Sequence, residues 1–137
     1  MRRFDKGMIG VDHGEVVLFS DFEDDGQMWR GDGPRQSRAQ VLFSKAYETP
    51  PHVQVSMSMW DISNNTNIRA DVQAQDITEA GFTIVFRTWA DTQVARVRVA
   101  WTSFGELPHD DGWELYYRLL GGIEAFVNWP QRFVIEQ

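Results

Sequence analysis

The sequence predicts an all-β protein built as an antiparallel β-sandwich. Apolar and polar residues alternate with a period of two in several short segments, as in strands with one buried and one solvated face. Turn-forming residues separate these segments at the spacing that a sandwich requires. The chain has 137 residues, which is enough for a single domain with a core of its own.

The strands follow from the alternation, taken in chain order. The apolar residues Val53, Val55 and Met57 alternate with polar ones, and Phe82 and Ile84 open a similar segment. Together with further segments the pattern gives roughly six strands or more. Turns are predicted at Thr-Pro-Pro (49–51), Ser-Asn-Asn (63–65) and Glu-Ala-Gly (79–81). The predicted strands cover residues 14–19, 39–43, 53–59, 82–87 and 95–101, and Trp101, which ends a buried alternation, is assigned to the core.

The pattern changes near residue 107, so we divide the chain into a sandwich at residues 8–107 and a short C-terminal extension at 108–137. The extension begins with a polar turn cluster, Pro-His-Asp-Asp-Gly, and is rich in aromatic residues. Trp113, Tyr116 and Leu120 have helical spacing, which favours a short helix, while an extended docking arm remains the alternative. In either form the extension is a candidate contact for a protein partner.

Composition limits the classes of partner. The net charge is −7, which disfavours binding to nucleic acid or to an anionic membrane surface. There is no Cys, so disulfides and thiolate metal sites are excluded. We find no signal-peptide pattern and no apolar run of about 18 residues, so we expect a soluble protein without membrane insertion, whose localisation is unknown.

A set of short motifs follows in order over roughly residues 14 to 105: Pro50-Pro51-His52-Val53, Asn67-Ile68-Arg69, Gly81-Phe82, Thr88-Trp89, Asp91-Thr92 and Val97-Arg98-Val99-Ala100-Trp101. By these motifs the chain resembles the H-type lectin family, which includes snail agglutinins and the carboxy-terminal part of discoidins. The resemblance implies a six-stranded antiparallel sandwich that assembles as a homotrimer or hexamer. It also implies recognition of glycans containing galactose or N-acetylgalactosamine in shallow sites between protomers, at an extracellular or particle surface.

Three carbohydrate-binding residues carry over by this resemblance: Asp32, Arg69 and Trp89. Their chemistry agrees, since a carboxylate accepts hydrogen bonds from two neighbouring hydroxyls, a guanidinium donates in a fixed fork, and an indole covers the apolar face of a pyranose. The alternatives are an ion pair with Asp71 or with a neighbouring protomer for Arg69, and packing at an interface between protomers for Trp89. The face carrying Arg96 and Arg98 is assigned to a protomer interface.

Three positions depart from the family pattern. Arg30 stands where the snail lectins have Gly, Ala90 where they have His, and Ala95 where they have Tyr. Because these positions contact the sugar in the snail lectins, the differences affect the implied preference for N-acetylgalactosamine. We expect Ala95→Tyr to raise the affinity for a galactose-type ligand.

The acidic loop from Asp21 to Asp32 has carboxylates at the first, third, fifth and twelfth positions and Gly at the sixth, which resembles an EF-hand loop. However, it follows a strand, and Gly33-Pro34 cannot begin the usual exit helix. We therefore expect no cofactor, with calcium as a minor alternative, and no other metal site. The sequence has none of the hydrolase or phosphate-binding motifs, so no catalytic residue is assigned.

Two functions remain open. The first is a glycan-binding lectin. The second is a structural or attachment component with a lectin fold, for example a trimeric decoration on a phage-like or other surface particle, with the C-terminal extension docked on a partner.

Overall fold

Six strands and one short helix make up the part of the chain that the computed structural model describes, residues 1–5 and 7–109. Nearly all of the predicted C-terminal extension lies outside these residues, so its helix and arm alternatives stay predictions. The elements are β1 (Ile9–Ser20), α1 (Gln27–Arg30), β2 (Arg35–Leu42), β3 (His52–Ile62), β4 (Asp71–Gln75), β5 (Gly81–Thr88) and β6 (Val94–Glu106).

The strands form two three-stranded sheets, ordered β1-β6-β3 and β2-β5-β4. Every neighbouring pair is antiparallel. The prediction of an all-β, six-stranded antiparallel sandwich is therefore confirmed. The central strands, β5 and β6, supply most of the core, because a central strand is covered by neighbours on both sides.

The core lies between the two sheets. Phe82, Ile84 and Phe86 face it from β5, and Val97, Val99 and Trp101 face it from β6. All six side chains are at most 7% exposed. Phe82 and Trp101 meet edge to face with ring centroids 5.5 Å apart, a favourable aromatic arrangement. Assignment of Trp101 to the core is thus confirmed.

Each of the five predicted strands has a counterpart in the structure, and all five observed strands are longer than predicted. β1 begins at Ile9, and β6 runs to Glu106. β4 carries only Val72 and Ala74 as apolar residues, which is too short an alternation to identify a strand by itself. The predicted turns at 49–51 and 63–65 lie in connections between strands, and the third ends where β5 begins.

Strand pairing gathers three connections at one end of the sandwich. β1 ends and β6 begins together, since Ser20 lies opposite Arg96. β2 and β4 both begin beside the end of β5, where Arg35 lies opposite Thr88 and Asp71 opposite Arg87. We call this end, formed by residues 21–34, 63–70 and 89–93, the loop end.

Candidate functional site

All three residues predicted to bind sugar lie at the loop end. Asp32 is in the connection from α1 to β2, Arg69 precedes β4, and Trp89 directly follows β5. The amide of Gly33 donates a hydrogen bond of 2.9 Å to the carbonyl oxygen of Ala90. This bond ties the residue after Asp32 to the residue after Trp89, so one chain brings both segments together.

Trp89 presents its indole to solvent. Its side chain is 44% exposed, whereas the preceding Thr88 is 1% exposed and packs inward. Ala90 then turns the chain with a positive φ of 57°, a conformation that residues other than Gly seldom adopt. The turn ends β5 abruptly and leaves the indole at the surface, where an aromatic face can cover the apolar side of a ligand.

Arg69 is held by the neighbouring connection from β5 to β6. Its Nη1 lies 2.8 Å from Oδ1 of Asp91 and 3.3 Å from Oγ1 of Thr92. The hydroxyl of Thr88 donates a hydrogen bond of 2.6 Å to the Arg69 carbonyl oxygen and fixes its main chain. The predicted ion pair of Arg69 with Asp71 is wrong, because Arg69 pairs with Asp91 and Asp71 lies 3.7 Å from Arg87. The alternative of an ion pair with a neighbouring protomer stays a prediction.

Asp32 is exposed. Within residues 1–5 and 7–109 its carboxylate makes no hydrogen bond and no ion pair, in contrast to Asp21 and Asp25 of the same loop. An ionised carboxylate offers acceptor sites for two neighbouring donors. Asp32, like Glu23 and Asp24 of the same loop, can therefore accept hydrogen bonds from a ligand without losing others among the described residues.

Arg35 holds the loop end together, and sequence reasoning did not identify it. The residue is only 4% exposed. Its Nε donates to the carbonyl oxygen of Gly33 at 2.8 Å, and Nη1 to that of Met28 at 3.0 Å. Its Nη2 donates to the carbonyl oxygens of Ala90 and Thr92 at 3.1 and 2.8 Å. One guanidinium thus links the main chains on both sides of the candidate site.

The acidic loop has its own internal structure. Asp21 accepts a hydrogen bond of 3.0 Å from the amide of Met28 at Oδ2, and Asp25 lies 3.0 Å from Nη1 of Arg30. α1 occupies the middle of the loop. In the described part of the chain, no group of three or more His, Cys, Asp or Glu side chains is arranged to hold a metal ion. Calcium binding remains an untested minor alternative.

Comparison with known proteins gives the family of the chain. A model of the H-type lectin domain matches residues 38–104. A protein of Fuscovulum blasticum, named ATP synthase subunits region ORF 7, is 49% identical over 107 residues, which are 78% of this chain and 93% of that protein. The chain belongs to the H-type lectin domain family. Arg69 and Trp89 lie inside the matched range, and Asp32 lies before it.

The fold of this H-type lectin domain is similar to solved structures of discoidin II from Dictyostelium discoideum. Two such structures, of the recombinant and the wild-type protein, superpose with TM-scores of 0.63 and 0.64 at 22% sequence identity. The matches cover 74% and 72% of this chain. They span only 38% and 37% of the discoidin II chains.

The three positions that depart from the snail lectin pattern have different surroundings in the structure. Ala90 is exposed beside Trp89. Arg30 is exposed and makes an ion pair with Asp25. Ala95 is 5% exposed and its carbonyl oxygen accepts a hydrogen bond of 2.7 Å from the amide of Asp21. A large side chain at position 95 has no free surface to reach, so the expectation that Ala95→Tyr simply adds a sugar contact does not fit the structure.

The outward face of the β1-β6-β3 sheet carries the two arginines assigned to an interface. Arg96 lies 3.3 Å from Asp61, and Arg98 lies 3.9 Å from Glu15. These ion pairs join neighbouring strands within one chain, and exposed pairs of this kind contribute little stability. Whether another protomer covers this face stays a prediction. No described helix has the length and apolar character that crossing a membrane would need.

Proposed function

We propose that this H-type lectin domain is a carbohydrate-binding protein that recognises glycans ending in galactose or N-acetylgalactosamine. The observation that carries the proposal is the convergence of Asp32, Arg69 and Trp89 at the loop end, joined by the bond between Gly33 and Ala90. Each residue offers the group its role requires. The indole is exposed, the carboxylate is uncommitted within the described residues, and the guanidinium is fixed by Asp91.

The domain acts by binding and not by catalysis under this proposal. Asp32 and Trp89 are exposed at the surface, and a site open to water gives little of the water exclusion that glycoside hydrolysis uses. Arg69, by contrast, is engaged by Asp91 and Thr92, so it serves as a fixed hydrogen-bond donor. The proposed cycle is therefore reversible binding of a glycan.

We further propose that the protein assembles as a homotrimer or a multiple of three, as the family resemblance implies. The outward side of β1 supports assembly, because Ile9 and Val11 are 51% and 68% exposed and are neighbours on that face. Adjoining exposed apolar residues are typical of a surface that another protein covers. A monomer mass from light scattering at micromolar protein would refute this assembly.

The test of the glycan site is a glycan array with the intact protein. We expect Trp89→Ala, Arg69→Ala and Asp32→Asn each to abolish detectable binding while the fold and the assembly state are kept. The loss at Asp32 is about 1–3 kcal/mol per site, as for hydrogen bonds to a charged group. Because a multivalent lectin binds the array through several weak sites at once, a loss of affinity at each site lowers the overall binding by a larger factor.

Two matched controls separate site effects from general effects. Trp60→Ala removes another exposed indole, that of a β3 residue that is 55% exposed, against 44% for Trp89. Asp24→Asn removes an exposed carboxylate from the acidic loop. Both controls should bind as the parent protein does once their assembly state is matched. If Trp89→Ala binds like the parent, the site assignment is wrong. If the parent binds no glycan, the attachment component is the surviving function.

A further inference from the structure

The outward face of the β2-β5-β4 sheet is polar where it begins beside Trp89, and the exposed apolar residue Leu42 lies at its far end, on β2 opposite Gly81. Phe82, Ile84 and Phe86 of β5 face the core, so the residues between them face outward. Residues paired across neighbouring strands share a face of the sheet. The register therefore places three rows of mostly polar residues on the outward face. The rows are Gln36, Arg87 and Asp71; then Arg38, Val85 and Gln73; then Gln40, Thr83 and Gln75.

A cleft connects Trp89 with the first of these rows. It has a volume of about 320 Å³ and is lined by Pro34, Arg35, Gln36, Arg87, Thr88 and Trp89. This volume lies at the small end of the range for ligand-binding pockets, about 300–1,000 Å³. The cleft therefore runs from the exposed indole of Trp89 to the outward face of the sheet, on the side of Gln36 and Arg87.

The side chains at the cleft suit hydroxyl groups. Gln36 is exposed, and its amide both donates and accepts hydrogen bonds. The Arg87 side chain is 38% exposed and lies 3.7 Å from the carboxylate of Asp71, which is 41% exposed. Because this ion pair balances its own charge, the row offers donors and acceptors without a net charge. Such a row fits a neutral sugar better than an anionic one.

The second row argues against a protein partner on this face. Val85 faces outward between Arg38 and Gln73, yet it is 0% exposed. The centre of the face therefore shows no apolar surface, whereas the buried cores of protein interfaces are enriched in aromatic and apolar groups. A hydroxyl-rich ligand is the occupant that this chemistry favours.

We propose that the sugar site has a second subsite in this cleft. The terminal sugar of a glycan contacts Trp89, and the neighbouring neutral hexose or hexosamine lies against Gln36 and Arg87. This inference rests on the proposed function, since it extends the same site, and it assigns recognition of an oligosaccharide instead of a single sugar.

The experiment compares one monosaccharide with disaccharides that share it. Titration calorimetry or saturation-transfer NMR would measure methyl N-acetylgalactosaminide, methyl galactoside, and a panel of disaccharides that end in either sugar with different linkages. We expect at least one disaccharide to bind about five- to tenfold more tightly than its monosaccharide, as one or two added hydrogen bonds would give.

Two variants test the residues of the subsite. Gln36→Ala should remove most of the gain from the second sugar and leave the monosaccharide affinity unchanged. Arg87→Lys keeps the charge opposite Asp71 and removes the planar fork, so it should reduce the gain similarly. The matched control is Gln40→Ala, the same residue type on the same strand and face, about 13 Å along β2 from Gln36. It should bind both ligands as the parent does.

The outcomes separate this inference from the proposed function. If the parent binds no sugar, the proposed function fails and the subsite fails with it. If it binds a monosaccharide but gains nothing from any disaccharide, only the subsite is refuted. Equal loss of both affinities in Gln36→Ala, with an unchanged melting temperature, also refutes the subsite, because Gln36 would then belong to the terminal-sugar site.

Discussion

Arg35 donates a hydrogen bond of 2.8 Å from Nη2 to the carbonyl oxygen of Thr92, 57 residues further along the chain. The same guanidinium holds Gly33, Met28 and Ala90 through their carbonyl oxygens. All four partners are main-chain oxygens, so the charge is solvated by the backbone of two connections. The relative position of Asp32 and Trp89 thus depends on a residue that makes no ion pair in the described part of the chain.

Arg35→Met should loosen the loop end. The substitution keeps a long apolar stem but leaves several carbonyl oxygens without donors, and we expect a loss of about 2–4 kcal/mol in the free energy of unfolding. Urea unfolding measures this loss. Hydrogen exchange of the Gly33 amide, which is bonded to Ala90, should accelerate more than exchange in β5.

The control for this substitution is Arg38→Met on the same strand, since the Arg38 side chain is 43% exposed and its one ion pair among the described residues is with Asp76 at the surface. It should change stability by less than about 0.5 kcal/mol. An Arg35→Met protein that unfolds at the same urea concentration as Arg38→Met would contradict the role assigned to Arg35.

Tyr47→Phe should lower the free energy of unfolding, because it breaks one buried hydrogen bond between two hydroxyl groups. The Tyr47 hydroxyl lies 2.8 Å from Oγ of Ser103, and the two residues are 4% and 0% exposed. Removing one partner leaves the Ser103 hydroxyl buried without a partner, which costs about 1–3 kcal/mol. The double substitution Tyr47→Phe/Ser103→Ala should lose less than the sum of the single ones, as thermal unfolding would measure. Strict additivity would refute the coupling.

The sequence predicts the strands better than it predicts the site. Alternation identifies strands when one face is buried, which is why the segment ending at Trp101 was assigned correctly. The resemblance supplied Asp32, Arg69 and Trp89, and strand pairing then placed them at one end. Sequence reasoning did not identify Arg35 because its hydrogen-bond partners are main-chain oxygens. Such partners leave no pattern of complementary charges in a sequence. The Gln36 and Arg87 row required the register of β2 against β5.

Chelation of calcium should leave the fold and glycan binding intact. Asp21 and Asp25 already bind the amide of Met28 and the guanidinium of Arg30, so two of the EF-hand-like carboxylates are engaged without a metal ion. EDTA should therefore not change the melting temperature. A decrease of many degrees that added calcium reverses would show that the loop rearranges around an ion.

Asp12 should make stability depend on pH in the acidic range. Burial acts to raise its pKa, but hydrogen bonds from the amide and hydroxyl of Ser44 and from the amide of His13, together with the charge of His13, lower the pKa overall. A lowered pKa means that the folded state favours the ionised form. The stabilisation is present above the ordinary pKa of Asp and is lost as the pH falls through the folded-state pKa.

The Asp12→Asn variant tests this linkage. At neutral pH it should be less stable than the parent by at most about 1 kcal/mol, since the site is partly solvated. The difference should shrink as the pH falls below about 4. Chemical unfolding across this pH range measures it, and a difference that stays constant or grows toward low pH would contradict the assignment.

Ala90 and Ala95 should respond in opposite ways to the side chains that the snail lectins carry there. Ala90 is exposed with a φ of 57°, and His tolerates this conformation better than most residues. Ala90→His therefore adds an imidazole beside Trp89 without displacing packed atoms, and we expect tighter binding of methyl N-acetylgalactosaminide. Ala95 is 5% exposed, so Ala95→Tyr must displace its neighbours, and we expect a loss of stability of about 1–3 kcal/mol.

Ala90→Gly separates conformational strain from ligand contact at this position. Glycine adopts a positive φ without the steric cost that Ala pays, so this variant should be more stable by about 0.5–1 kcal/mol while its sugar affinity stays at the parent value. Thermal unfolding and calorimetry on the three variants give both quantities. An Ala90→His protein with unchanged affinity would place the sugar away from this turn, and a fully stable Ala95→Tyr protein with raised affinity would show that the loop above position 95 opens to admit the ring.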